Sequence, residues 1–190
     1  MKLIIASNNA HKIYEIKTIL GGKFDEILSL REAGINHETV EDGSTFMENA
    51  YKKAREIAEI SGCPALADDS GICADALGGA PGIYSARFSG EHGNDQANND
   101  LLIAKLADKA DKSAHYTAAI SLVYPDGKRV EAEGYMYGKI IDTPRGTRGF
   151  GYDPIFVPDG EGRTVAEMTD EEKNAISHRG AALRLLLSKL

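Results

Sequence analysis

The 190-residue sequence is short of cysteine, of net basic charge and of long apolar runs. Its two cysteines, Cys63 and Cys73, show no CxxC spacing and no dense disulfide pattern. That excludes a disulfide-stapled scaffold and fits a reducing compartment. Both sit among apolar or small residues, so packing is their expected role. The formal net charge is −7, from 22 basic and 29 acidic side chains. Wrapping a nucleic-acid backbone relies on clustered Lys and Arg, so no nucleic-acid partner is expected. A small phosphorylated ligand stays open, since a few local cations suffice. The opening "MKLIIAS" holds too few apolar residues for a signal-peptide core, and no later run could span a bilayer. A cytoplasmic protein with no membrane partner is expected. There is no repeat, low-complexity tract or long linker. One domain over residues 1–190 follows, with ample length for a core.

What is there alternates. "KLIIAS" reads as a buried strand running into "NNAHKIYEIKTIL", where Ile13, Ile16, Ile19 and Leu20 fall near helical spacing and Asn8 or Asn9 is the cap. "FDEILSL" is a second strand. Thr45 and Glu48 read as a capping box for a helix that Gly62 and Pro64 stop near Ser61. "PALAD" is a third strand, followed by the glycine-rich "GGAPGIYSARFSG". Asn94 or Asp95 opens a further helix. Pro125-Asp126-Gly127 is the turn of a hairpin between "AHYTAAISLVY" and "KRVEAEGYMYGKII". Thr169 and Glu172 cap a helical tail ending in "AALRLLLSKL". Strands alternating with helices, then a hairpin, predict an α/β fold with a mixed sheet.

Several segments hold candidate chemistry. "SNNAHK" is a strand-to-helix junction, where backbone N–H groups and the helix dipole attract anions. Lys12 in the first turn, with Ser7 and Asn9 as donors, would reach a phosphate there. The GK[ST] signature of a P-loop is missing, and for this segment alone plain capping with a solvated lysine is the favoured account. Glu41 and Asp42 lie in a polar loop before a helix carrying Lys52 and Lys53. "ALADDSG" sets Asp68 beside Asp69. Strand alternation keeps them from facing one way unless the chain turns, so a split role is natural: one acid for ligand or metal, the other bracing a lysine or backbone donor. With Glu41, and with Asp75 as a further candidate, an oxygen-only cluster suits magnesium (Mg²⁺) rather than zinc. The alternative is a pair of turn-forming aspartates before Ser70-Gly71. "RGFGYDPIF" lacks the third glycine of a dinucleotide fingerprint. Phe150 there reads either as a stacking platform for a flat base, with Asp153 accepting from base or sugar, or as a core residue. In "EEKNAISHRG", Lys173, His178 and Arg179 are donors at a loop or helix junction. Arg179 reads equally as an ion-pair partner, and His178 has no neighbour at zinc spacing.

Taken together, S-x-N-x-x-K (Ser7, Asn9, Lys12), "TFMENAYKKA", "ALADDSG", "GGAPGIYSARFSG", "GFGYDPIF" and "MTDEEKNAISHRG" resemble, in order, the inosine triphosphate pyrophosphatase family. The bacterial and archaeal branch, with tyrosine at the position of Tyr152, matches best. The resemblance implies hydrolysis of noncanonical purine nucleoside triphosphates (ITP, dITP, XTP) to the monophosphate and pyrophosphate. It implies an elongated mixed sheet flanked by helices, in two lobes around an active-site cleft, with Mg²⁺ dependence and a homodimer. Residue by residue, it implies Asp69 as proton acceptor and metal ligand, with Glu41 as the second ligand. Ser7, Asn8, Asn9, Ala10, His11, Lys12 and Lys53 would hold the triphosphate, and Ser70 would touch substrate. Phe150, Gly151, Tyr152, Asp153, Lys173, His178 and Arg179 would form the nucleoside pocket.

Overall fold

The structure, a computed structural model, describes residues 1–190. Strand–helix alternation in the first third yields parallel pairing. Strand β1 (Lys2–Ile5) pairs with β2 (Glu26–Ser29), Leu3 opposite Ile27, and with β3 (Ala65–Ala74), Ile5 opposite Leu66. Parallel neighbours need a crossover, and helices α1 (Ala10–Leu20) and α2 (Phe46–Ser61) supply them. Strands β4 (Ser113–Val123) and β5 (Arg129–Ile140) form the hairpin predicted from Pro125-Asp126-Gly127; the Tyr124 N–H donates to the Lys128 carbonyl at 2.8 Å. Short β6 (Phe156–Pro158) runs antiparallel to β5, with Lys139 opposite Val157. The sheet order β2-β1-β3-β4-β5-β6 is mixed, flanked by α1, α2, α3 (Asp95–Leu106), α4 (Asp170–Ile176) and α5 (His178–Leu187). This is the α/β class expected from the alternation.

Local chemistry sets the helix ends. Asn9 Oδ1 accepts from the His11 and Lys12 N–H groups, so Asn9 rather than Asn8 caps α1. Thr45 Oγ1 accepts from the Glu48 N–H, but the Glu48 carboxylate reaches Ser44 rather than closing a reciprocal box with Thr45. Gly62 ends α2 at φ 64°, a left-handed conformation that costs glycine nothing. Thr169 and Glu172 do form a full capping box at α4. The tail is two helices, parted at Ser177, the C-cap of α4.

The chain divides into two compact units. Residues 1–69, 118–134 and 179–190 form the first. Its apolar clusters gather Leu3, Ile5, Ile16, Leu20 and Leu183 in one group and Ile4, Ala54, Ile57 and Ala65 in another. Residues 70–117 and 135–178 form the second, cored by Ile72, Leu102, Tyr116, Ile155 and Phe156. Burial of each large aliphatic side chain contributes about 1.5–3 kcal/mol. No helix is long and apolar enough to cross a membrane.

The sequence reading ended the third strand at Asp68. In fact β3 continues through Asp69, Ser70 and Gly71 to Ala74, so the two aspartates are not turn formers. Pairing with β1 ends at Leu66, so beyond it the extended backbone is held by β4 on one edge, while the Ile72 N–H donates to Ser85 Oγ at 2.9 Å and the Ala74 N–H to the Ala80 carbonyl at 3.1 Å.

Candidate active site

Because successive strand residues face opposite sides, Asp68 and Asp69 acquire different surroundings within the first unit. The Asp68 side chain is fully buried. It accepts from Arg179 Nε at 3.0 Å and Nη2 at 3.3 Å, and Lys12 Nζ lies 2.5 Å from its Oδ1. Arg179, equally buried, also donates to Glu15. Burial alone would raise the Asp68 pKa, but Arg179 and Lys12 outweigh it and hold the carboxyl far below the usual range. Asp68 is thus a fixed anion that braces Lys12, one half of the expected split.

Asp69 faces the other group. Its Oδ2 accepts from Asn49 Nδ2 at 3.2 Å, and Lys53 Nζ lies 3.3 Å from its Oδ1. The same ammonium donates to Glu41 at 2.9 Å and to the Asp68 carbonyl at 3.1 Å. Burial, with the charges of Glu41 and Asp68, pushes the Asp69 pKa up despite both lysines. Burial also acts to raise the Glu41 pKa, but Lys53 leaves it lowered. The two carboxyls therefore titrate together, Asp69 shifted up and Glu41 shifted down. Burial opposes the Lys53 charge, and Asp69 and Glu41 together raise its pKa.

At the start of α1, the Ser7 hydroxyl accepts from the Asn9 N–H at 3.1 Å. The N–H groups of His11 and Lys12 go to Asn9. Asn8, Ala10 and His11 are exposed and Ser7 is half-buried. Capping accounts for Asn9, as the plainer reading held, but Lys12 is no solvated lysine.

Within the second unit the "GFGYDPIF" residues are built around Asp153. This buried carboxylate accepts from Tyr116 Oη at 3.1 Å, from Lys173 Nζ at 2.9 Å and from the Phe150 N–H at 3.0 Å. The Lys173 ammonium also lies 4.6 Å from the centre of the half-buried Phe150 ring. His178 is buried and stacks on Tyr116 with ring centres 4.7 Å apart. Helix α3 grips Gly151 twice: its N–H donates to Asp95 at 2.7 Å, and its carbonyl accepts from Asn99 at 3.1 Å. The buried Tyr152 hydroxyl donates to the Ser85 carbonyl at 2.7 Å. Gly149 has φ 74°, and a Cβ there would stand 2.1 Å from Asp153 Oδ2. Only glycine permits that approach.

Three of the candidates have protein partners. Arg179, read as a pocket donor or an ion-pair partner, pairs with Asp68 and Glu15. Asp153, read as an acceptor for base or sugar, accepts from three protein donors. Asp75 opens a short 3-10 turn and lies 3.8 Å from His115, so it belongs to another group than Glu41 and Asp69. Ser70, next along β3 from Asp69, is half-buried. Residues the sequence reading passed over include Asn49, Tyr116 and Asn99, ordinary helix or strand positions with no local signal beyond their polarity; Asp95 was read only as a helix start.

No three His, Cys, Asp or Glu side chains converge as a ready metal cage. Glu41 and Asp69 nevertheless fit a hard divalent cation. They offer oxygen only, and burial with the neighbouring acids opposes the charge on Asp69, a cost that a cation relieves. Two carboxylates suffice for Mg²⁺ where substrate phosphates complete its shell.

Residues 3–189 match the Ham1 family. The chain is 50% identical over 200 residues to a dITP/XTP pyrophosphatase of Streptomyces coelicolor, covering 98% of this chain and 95% of that protein. It is 50% identical over 197 residues to one from Clostridium perfringens, covering 100% and 97% respectively. The structure of the Staphylococcus aureus Ham1 protein superposes with a TM-score of 0.90 at 39% identity, covering 100% of this chain and 97% of that one. The likeness runs the length of the chain as the order of the motifs does, and this chain belongs to the Ham1 family.

Proposed function

We propose that this protein hydrolyses noncanonical purine nucleoside triphosphates (dITP, ITP and XTP) to the monophosphate and pyrophosphate, removing deaminated purines from the nucleotide pool. The observation that carries the reading is the division of labour across Asp68-Asp69. One acid is neutralised by Arg179 and Lys12, and its neighbour sits beside Glu41 with a raised pKa. The names of the half-identical relatives support the same activity.

In this reading Asp69 is the general base. It takes a proton from the water that attacks the α-phosphorus, and its upward shift makes it a stronger base than an ordinary aspartate. Glu41 and Asp69 would hold Mg²⁺, which supplies charge neutralisation at the phosphates. Lys12 and Lys53 balance charge on the departing pyrophosphate. Each ammonium carries three protons, so pairing with a carboxylate does not exhaust it. The Ser7 hydroxyl and the residues from Asn8 to His11 line the phosphate end with α1's positive pole. Ser70 touches substrate beside Asp69.

The base is held by Phe150 through stacking, with Gly151, Tyr152 and His178 as its walls. Asp153 aims Lys173. Lys173 is a cation for the 6-oxo group of hypoxanthine or xanthine; the amino group of adenine would face that donor unpaired. A homodimer in a reducing cytoplasm completes the proposal, on the family resemblance and the free state of Cys63 and Cys73.

The test is a turnover panel of dITP, ITP, XTP, GTP and ATP with Mg²⁺ and product identification. Pyrophosphate released from the first three, well above GTP and ATP, is the expected result. Orthophosphate as the first product would overturn the reaction.

A further inference from the structure

Glu41 lies in a segment, residues 35–43, that belongs to no helix or strand. Something must place its carboxylate beside Asp69, and α2 does so along much of its length. Ile35 packs with the cluster that holds Ala54 and Ile57. His37 Nε2 lies 2.7 Å from Glu56 Oε2, and the Thr39 hydroxyl donates to the same oxygen at 2.6 Å. Glu41 then meets Lys53, Asp42 accepts from Lys52 at 2.7 Å, the Gly43 N–H donates to Asn49 Oδ1 at 2.8 Å, and Ser44 meets Glu48. As the segment advances from 37 to 44, its partners on α2 retreat from 56 to 48. The segment is an extended strap lying antiparallel to the helix. Its inward positions alternate, with Ile35, His37 and Thr39 half-buried and Asn36, Glu38 and Val40 exposed, as extended chain requires.

The rungs divide into two sets. Those after Glu41 involve the first turns of α2, next to the point where the strap joins the helix, so covalent connection already limits movement there. On the other side of Glu41, Glu56 alone takes two strap side chains, His37 and Thr39. The geometry points to Glu56 as a positioning residue for the reaction: its clasp on His37 and Thr39 tensions the strap, and so delivers Glu41 to Asp69. The consequence for catalysis rests on the proposed role of Glu41 as metal ligand. The clasp itself does not.

Two measurements on the full-length protein separate these. Hydrogen–deuterium exchange, without metal or nucleotide, reads the clasp. Glu56→Ala is expected to speed exchange across residues 35–43, where the Ile35, Asp42 and Gly43 N–H groups are hydrogen-bonded, while α2 keeps its protection, and Glu56→Gln, which retains a carbonyl oxygen for Thr39, restores part of it. Unchanged exchange over 35–43 in Glu56→Ala overturns the inference whatever the enzyme's activity. The second measurement is the Mg²⁺ concentration giving half-maximal pyrophosphate release from dITP. Glu56→Ala should raise it about tenfold, equivalent to about 1.4 kcal/mol, with kcat at saturating Mg²⁺ within about twofold of the parent. Faster exchange with an unmoved Mg²⁺ requirement overturns the positioning role. If Glu41→Gln also leaves that requirement unmoved, the metal-ligand reading of Glu41 has failed, and the delivery role with it.

Discussion

Replacing Asp68 by asparagine removes a carboxylate from the fully buried Arg179 guanidinium and the 2.5 Å partner of Lys12. An incompletely compensated buried charge is expensive, so Asp68→Asn should lose about 3–5 kcal/mol in urea unfolding. Because its folded pKa is depressed, the stabilisation from Asp68 is complete above the ordinary aspartate value and fades only as pH falls towards the folded one. Asp69 behaves oppositely. Its carboxyl titrates higher folded than unfolded, so stability falls as pH rises from the ordinary value of about 3.9 through the folded one. At about pH 8 its charge is held against burial, Glu41 and Asp68. Asp69→Asn should therefore leave the urea midpoint equal to or above the parent's, while kcat for dITP drops by about 10²–10⁴. The same shift places the acid limb of kcat/KM above the ordinary aspartate range. A limb at or below that range would remove Asp69 as base.

Single elements carry the next level. The loop 149–153 is a scaffold in which the Phe150 N–H and Lys173 converge on Asp153 while α3 holds Gly151. Gly149→Ala drives a Cβ to 2.1 Å from the Asp153 carboxylate at a φ that side chains avoid. It should cost about 1–3 kcal/mol of stability and raise KM for dITP, while inhibition by inorganic tripolyphosphate is unchanged. Phe150→Ala should likewise weaken nucleoside binding and spare tripolyphosphate. The ends of these elements were legible in sequence wherever one residue closes a backbone group on its own, as at Asn9, Thr45, Gly62 and the Thr169–Glu172 box. The far end of β3 was not. Asp-Asp-Ser-Gly favours turns locally, and because pairing with β1 stops at Leu66, its extension to Ala74 depends on β4, a strand that begins only at Ser113.

At the scale of the molecule, ligand binding must appear as stability. dITP with Mg²⁺, at about a hundred times the dissociation constant, should add about 2.7 kcal/mol and raise Tm accordingly. No rise would favour a protein whose acids are merely ion-paired. The types of element, their order, the hairpin turn, the mixed sheet and the order of the motifs were all readable from the sequence, because periodicity, backbone sterics and short-range caps set them. The two faces of β3 were readable as well: alternation requires Asp68 and Asp69 to part. Which of them meets a guanidinium, and which is left beside a second carboxylate, was decided only by the fold. Arg179 reaches Asp68 from 111 positions away and Glu15 from 164, and pairing energies at such separations exist only once packing has removed the water between the charges.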